Sequence, residues 1–241
     1  MMAVAITAKH YRSSIPQEAK ERITARHIKS RRRHKAEYWL DGKLVGTRFF
    51  DEKGRIQTEN PFRNGLVHGT QYFFHSPNQL SFAERYFNRL AHGTARQWDH
   101  DGKLLGTYTM KHGTGVDLWR ARSGWGHGAP YLSEARYIQD GKWHGFEWWL
   151  NEDQRSVWQE RHFQFDQLHG IERQWNSTGE LKRGFPRYWL HGARATKRQY
   201  VRACASDETL PPFRLSDNRP RRRFPLEIIL SPATGTSLAG A

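Results

Sequence analysis

Between residues 37 and 192, polar and apolar side chains alternate in short runs such as Thr94-Ala95-Arg96-Gln97-Trp98. A period of two predicts strands with one covered and one wet face. Turn residues bound each run. Asp51-Glu52-Lys53-Gly54, Asp99-His100-Asp101-Gly102 and Asn176-Ser177-Thr178-Gly179 place Asp or Asn first and Gly fourth. That order suits a type I turn closing on a left-handed residue. Ser76-Pro77-Asn78-Gln79 is read as the same device, with Pro second and Asn in the left-handed place. Aromatics precede the turns (Phe50, Tyr72, Trp98, Trp175), and aliphatics follow them (Ile56, Leu80, Leu104, Leu181). The unit is a β-hairpin, too short for a crossover helix.

The hairpins repeat. Seven His-Gly dipeptides occur, and most close one phrase: an aromatic, Asp/Asn-Gly a few residues on, then His-Gly. PFRNGLVHG, YFNRLAHG, YIQDGKWHG and HFQFDQLHG are copies, and YWLDGKLVG is an earlier one with Val in place of His. Taking Gly46, Gly69, Gly93, Gly115, Gly145, Gly170 and Gly192 as marks gives intervals of 23, 24, 22, 30, 25 and 22 residues. A period of this size signals a repeat architecture. The long interval carries about seven extra residues around Trp125–Pro130, expected as a bulge or loop in the second strand of that hairpin.

These phrases resemble the MORN-type repeat, and more closely the bacterial YwqK-like antitoxin family. The best-matched stretches are Phe62–Phe73, Tyr86–Trp98, Tyr137–Trp149 and Phe163–Trp175, and the resemblance covers about 37–192. The chain departs from the pattern near Gly126, in the missing Asn/Asp-Gly of the Tyr86 and Tyr108 phrases, and in its frequent His. The resemblance implies an extended single-sheet meander acting as a scaffold. In the antitoxin branch it implies neutralisation of a toxin by direct binding. In other MORN proteins it implies assembly or contact with acidic lipid. The expected fold is therefore all-β: six to seven tandem hairpins over 37–200, flanked by a basic N-terminal segment and a basic tail.

The flanks change the picture of charge. Of the net +15, residues 1–36 contribute ten Lys/Arg against two acids, and residues 193–241 nine against four. The central region holds twenty against eighteen. Basic tails attract phosphates or acidic surfaces without sequence readout. Arg31, Arg32, Arg33 and Arg221, Arg222, Arg223 are the candidate contacts, giving a second reading as a binder of nucleic acid or anionic membrane. Ser13 or Ser14, Pro16 and Glu18 predict a helix within 1–36, with a thin stripe of Ile15, Ala19 and Ile23. The Pro-, Arg- and Ser-rich stretch 201–241 is expected to be mostly disordered.

Candidate chemistry is sparse. No nucleophile elbow, phosphate loop or His-Glu-x-x-His occurs, and no cofactor or small-molecule substrate is expected. Cys204 has no evident base, and a lone cysteine fits a cytoplasmic protein. His68, His92, His144, His169 and His191 occupy equivalent positions in the phrase. Hairpin pitch would hold such side chains roughly 10 Å apart, too far to share a metal. They are expected to bond a neighbouring carbonyl. All ten tryptophans lie between Trp39 and Trp189. Phe50, Tyr72, Trp98, Trp148 and Trp175 read first as the buried face that holds the hairpins in line; where part of such a face stays open, Trp98, Trp148, Trp149 and Trp175 are the candidates for partner contact. Trp148 and Trp149, being consecutive in a strand, must face opposite ways.

Overall fold

The computed structural model describes residues 11–77, 79–123 and 128–226. The chain divides into two compact units, Met1–His112 and Gly113–Ala241. Eighteen strands occur among the described residues. The first unit runs β1 Lys20–Arg26, β2 Arg33–Leu40, β3 Lys43–Phe50, β4 Ile56–Arg63, β5 Leu66–Val67, β6 Gly69–Ser76, β7 Gln79–Phe87, β8 Leu90–Ala91, β9 Gly93–Trp98 and β10 Leu104–Lys111. Each long strand pairs antiparallel with the next. The second unit continues with β11 Thr114–Arg122, β12 Pro130–Gln139, β13 Lys142–Leu150, β14 Val157–Gln164, β15 Gln167–Leu168, β16 Gly170–Gln174, β17 Arg187–Leu190 and β18 Ala193–Ala195. It is likewise an antiparallel meander.

Two kinds of turn alternate. The four-residue turns form as their sequences predict: Asp51, Asp99 and Asn176 each accept two backbone N–H groups, from residues two and four further on, at 2.8–3.1 Å. Asn78 lies outside the described residues. The other kind is a two-residue turn with both φ angles positive. It recurs at 41–42, 64–65, 88–89, 112–113, 140–141, 165–166 and 191–192. This is the turn whose twist matches that of paired strands.

These turns correct the register of the repeat. His112-Gly113 and His191-Gly192 are themselves two-residue turns, with φ of 49° and 47° at the histidines. They stand where other copies have Asp41-Gly42 or Asn64-Gly65. Gly192 is therefore a turn glycine, unlike Gly69, Gly93, Gly115, Gly145 and Gly170, whose φ lies between 92° and 154° at the start of or within a strand. The same dipeptide serves both places because His tolerates left-handed geometry better than most residues. Of the extra residues expected around Trp125–Pro130, 124–127 lie outside the described set; beside them Arg122 of β11 pairs with Pro130 of β12.

Both flanks differ from expectation. Lys20–Arg26 is strand β1 and not a helix, paired with β2 from Lys20↔Trp39 to Arg26↔Arg33. The apolar stripe was too thin to hold a helix, whereas β2 offers a full row of backbone partners. The described part of the C-terminal flank, up to Leu226, is folded onto the sheet. It contains helix α1, Lys197–Ala203, whose capping box joins Thr196 and Gln199. Tyr200, Leu210 and Phe213 pack with Ile171 and Tyr188. The remainder of the tail, 227–241, lies outside the described residues.

A buried glutamate fastens each flank. Five residues before the two-residue turn, three repeats carry buried Ala36, Ala83 and Ala135, one carries exposed Thr107, and two carry Glu59 and Glu160, both 0% exposed. Glu59 accepts from Tyr11 Oη (2.6 Å), Ser13 Oγ (2.9 Å) and Arg48 Nε (2.8 Å). Beside it Ile15 fills the space over Gly46, where a Cβ would meet its Cδ1 at 2.3 Å. Glu160 accepts from Trp148 Nε1 (2.9 Å), Arg222 Nε (2.8 Å) and Arg173. Burial raises its carboxyl, but Arg173 and Arg222 overcome this and hold it below the usual range.

Two outcomes test this account. Arg173→Leu leaves Glu160 with Arg222 and Trp148 on one oxygen and no donor on the other, and is expected to cost about 1–3 kcal/mol in urea unfolding. Arg89→Gly relieves a left-handed arginine (φ 74°) and should raise stability by about 1 kcal/mol.

Candidate functional site

The C-terminal flank takes one face of the second unit's sheet. Trp148 (2% exposed) meets Phe224, and Trp175 (3%) donates to the Arg219 carbonyl. In the first unit Trp98 (5%) packs with Tyr72, Leu80 and Ala83. Of the two readings the sequence allows for these three tryptophans, the structure shows the buried face: they are core side chains and not open contacts. The reason is the flank itself, which covers the face they line in the second unit. Trp149 points the other way, as strand alternation requires, and meets Trp158 edge-on at 5.3 Å.

The face carrying Trp149 is built in rows, because directly paired residues of neighbouring strands share a face. One row is Trp119, Glu134, Trp149 and Gln159, from the pairs Trp119↔Glu134, Glu134↔Trp149 and Trp149↔Gln159. Beside it runs an alternating charge ladder, Asp117, Arg136, Glu147 and Arg161. Arg136 Nε is 3.3 Å from Asp117, and Arg161 is 2.6 Å from Glu147. Further along, Glu172 accepts from Trp189 Nε1 at 3.1 Å. Arg136 also lies over the Trp143 ring at 5.4 Å. Trp119, Trp149, Trp158 and Trp189 are half-buried, and Trp143 is exposed. Aromatics and guanidiniums therefore share one face, left uncovered by the described residues.

Glu134 is the irregular member. Its side chain keeps 14% exposure between two tryptophans. Arg136 Nε lies 3.0 Å from its Oε1, yet the N–H does not point at it and the oxygen has no hydrogen-bond partner. Burial pushes the carboxyl up to about 7, Glu147 and Asp117 add to the shift, and Arg136 opposes it. Sequence reasoning passed over this residue, since a glutamate on a strand's polar face looks solvated.

The histidines join repeats. His92 Nδ1 accepts the His112 N–H (3.2 Å), and His169 Nδ1 the His191 N–H (3.0 Å). His68 Nδ1 lies 3.0 Å from Asn88 Oδ1, and Thr114 Oγ1 takes the Asp140 N–H at 3.1 Å. The second turn residue then donates to the preceding repeat: Arg89 to Val67, Gly141 to Gly113, Asp166 to Trp143 and Gly192 to Leu168, at 2.7–2.9 Å. The expected carbonyl bond is thus replaced by an N–H bond at His68, His92 and His169, whereas His144 Nδ1 has no hydrogen-bond partner. His27, His75 and His162 do bond carbonyls.

His169, His191 and Asp207 bring donor atoms within 4.8 Å of one another, close enough to suggest a metal site. The bonding argues otherwise. His169 Nδ1 accepts an N–H, so its proton sits on Nε2, facing Asp207 (3.2 Å) and Thr209 (3.1 Å). Ligation through Nε2 would move that proton to Nδ1, against the His191 N–H. The rings meet at 4.1 Å because His191 is a turn residue of the next hairpin and not an equivalent position.

The basic candidates are divided. Arg222 is taken by Glu160 and Asp217, and Arg33 lies over Phe50 and pairs with Glu21. Arg31, Arg32, Arg221 and Arg223 remain exposed. Cys204 caps α1, and burial pushes its thiol up, away from reactivity. Among the described residues no helix is long and apolar enough to cross a membrane.

No family model matches the chain, and no curated protein matches it. Among solved structures, a chain of the Glycosylation Associate Protein (Gap123) complex from Streptococcus agalactiae aligns at 16% identity, covering 41% of this chain and 18% of that one. Its TM-score of 0.30 is too low to carry an argument.

The carboxyl of Glu134 gives a stability test. The unfolded chain loses this proton near 4.5 and the folded chain near 7, so stability falls as pH rises between those values and then levels. Glu134→Gln should abolish that slope in pH-dependent urea titrations. At pH 8 it should be more stable than the parent by up to about 3 kcal/mol.

Proposed function

We propose that this protein is a non-catalytic repeat scaffold that binds a protein partner through the tryptophan- and arginine-bearing face of its second unit. The observation that carries the reading is the row Trp119, Glu134, Trp149 beside the ladder Asp117, Arg136, Glu147, Arg161. Tryptophan and arginine dominate the binding energy of protein interfaces, and sheet positions hold them with little entropy left to lose. Self-neutralised charges alongside supply register and exclude mismatched partners. The most concrete form of the reading is an antitoxin-like protein that neutralises a toxin by direct binding, which rests on the resemblance to the YwqK-like family.

The competing reading, contact with nucleic acid or anionic membrane through the flanks, is left with Arg31, Arg32, Arg221 and Arg223. Point variants in the full chain separate the two. Cutting away the flanks would not, because Tyr11, Ser13 and Arg222 bond Glu59 and Glu160. With the full-length protein as bait in lysate of its source organism, Trp149→Ala with Trp158→Ala should lose a specific protein. Replacing the four exposed arginines with serine should retain it at 0.3 M salt. The opposite pattern, with capture lost on raising salt, would replace this reading with the electrostatic one.

A further inference from the structure

We infer that one face of strands β6, β7, β9 and β10 binds single-stranded nucleic acid. Phe87 is the platform for a base, and Arg85, Arg96 and Lys111 are the phosphate contacts. All of these residues belong to the first unit, so the site stands independently of the docking face of the second.

Charge picks out the face. The four strands contain one acid, Glu84, which is 8% exposed and bonded by the hydroxyls of Tyr86 and Tyr108. Arg85, the next residue along β7, points the opposite way. Register places the other cations on its side. Ala83 shares the face of Arg85 and pairs with Arg96, which pairs in turn with Thr107. Lys111 follows Thr107 by four residues on the same strand and so shares that face. All three cations are exposed, and none is held in an ion pair by the described residues. The stem of Arg85 lies along Gly93, where a Cβ would stand 3.9 Å from its Cδ. Thr94 and Thr109, paired across β9 and β10, add hydroxyl donors to the same face. Three spaced cations with no carboxylate between them suit an anion that repeats along its length, as a phosphate backbone does.

Shape selects unpaired bases. Phe87 shares the face of Arg85 and is 45% exposed. Imidazoles frame its ring, with centroids at 5.1 Å for His68, 5.9 Å for His112 and 6.3 Å for His92. His92 and His112 meet each other at 4.2 Å. Bases stack on an open aromatic platform while the cations beside it neutralise their phosphates. In a duplex the bases lie against one another and offer no flat face to Phe87. Acidic side chains would meet the same cations but have no ring to lay on it.

The test uses the full-length protein and fluorescein-labelled oligo-dT of about 20 nucleotides, read by fluorescence anisotropy. Phe87→Ala should weaken binding about ten-fold. Arg85→Ser with Arg96→Ser should weaken it too, and should flatten the slope of log K against log salt by about 1.4. Both effects should persist when Arg31, Arg32, Arg221 and Arg223 are replaced with serine. Trp149→Ala with Trp158→Ala should leave the affinity unchanged, which separates this site from the protein-docking face. Equal affinity in Phe87→Ala, no binding even at low salt, or binding abolished by the flank replacements would each overturn the inference. Polyglutamate of equal charge displacing the probe as well as unlabelled oligo-dT does would assign the face to an acidic polypeptide, and would overturn it likewise.

Discussion

A two-residue turn leaves two backbone N–H groups projecting from the end of a hairpin, and the rest of this structure depends on where they go. From Asn88-Arg89 onward one or both go to the preceding hairpin. In the fullest case, at His191-Gly192, the first is received by His169 Nδ1 and the second by the Leu168 carbonyl. Thr114 performs the histidine's task at Asp140. At these largely exposed turns each bond contributes about 0.5–1.5 kcal/mol and helps fix where one repeat sits on the last. The glycine after each histidine adopts positive φ and lets the chain leave the joint and re-enter a strand.

A meander built this way covers neither of its faces. The chain meets that problem with its own ends, each pinned by a glutamate set among alanines. A carboxylate with no exposure is tolerable only when every oxygen has a donor. Glu59 finds Tyr11, Ser13 and Arg48, and Glu160 finds Trp148, Arg173 and Arg222. The same polar chemistry that would destabilise an unpaired strand position thus specifies which segment lies across it. One face of the second unit is spent on that covering. What remains on the other is a strip where tryptophans and paired charges stand half-open, and where Glu134 and Glu147 retain unmet oxygens.

The two faces hold their glutamates differently. Glu160 is held below the ordinary carboxyl range by arginines aimed at it, and Glu134 is held above it because its nearest arginine aims elsewhere. Full satisfaction makes the first a fastener. Incomplete satisfaction leaves the second holding its proton up to about pH 7.

Sequence alone determined the hairpins, since alternation, Asx-first turns and positive-φ glycines act over four or five residues and need no distant partner. Asp51, Asp99 and Asn176 are readable for that reason, as is the opposed pointing of Trp148 and Trp149. The tertiary structure decided the rest. Strand β1 is almost wholly exposed, so no apolar period announced it, and only the backbone row of β2 made it a strand. Tyr200, Leu210 and Phe224 follow no period either, because they answer to the shape of a sheet already formed. Whether a tryptophan is core or surface, and whether a histidine is joint or turn, depended on which flank crossed which face. That contact is made between residues as many as 62 positions apart, beyond the reach of any local pattern.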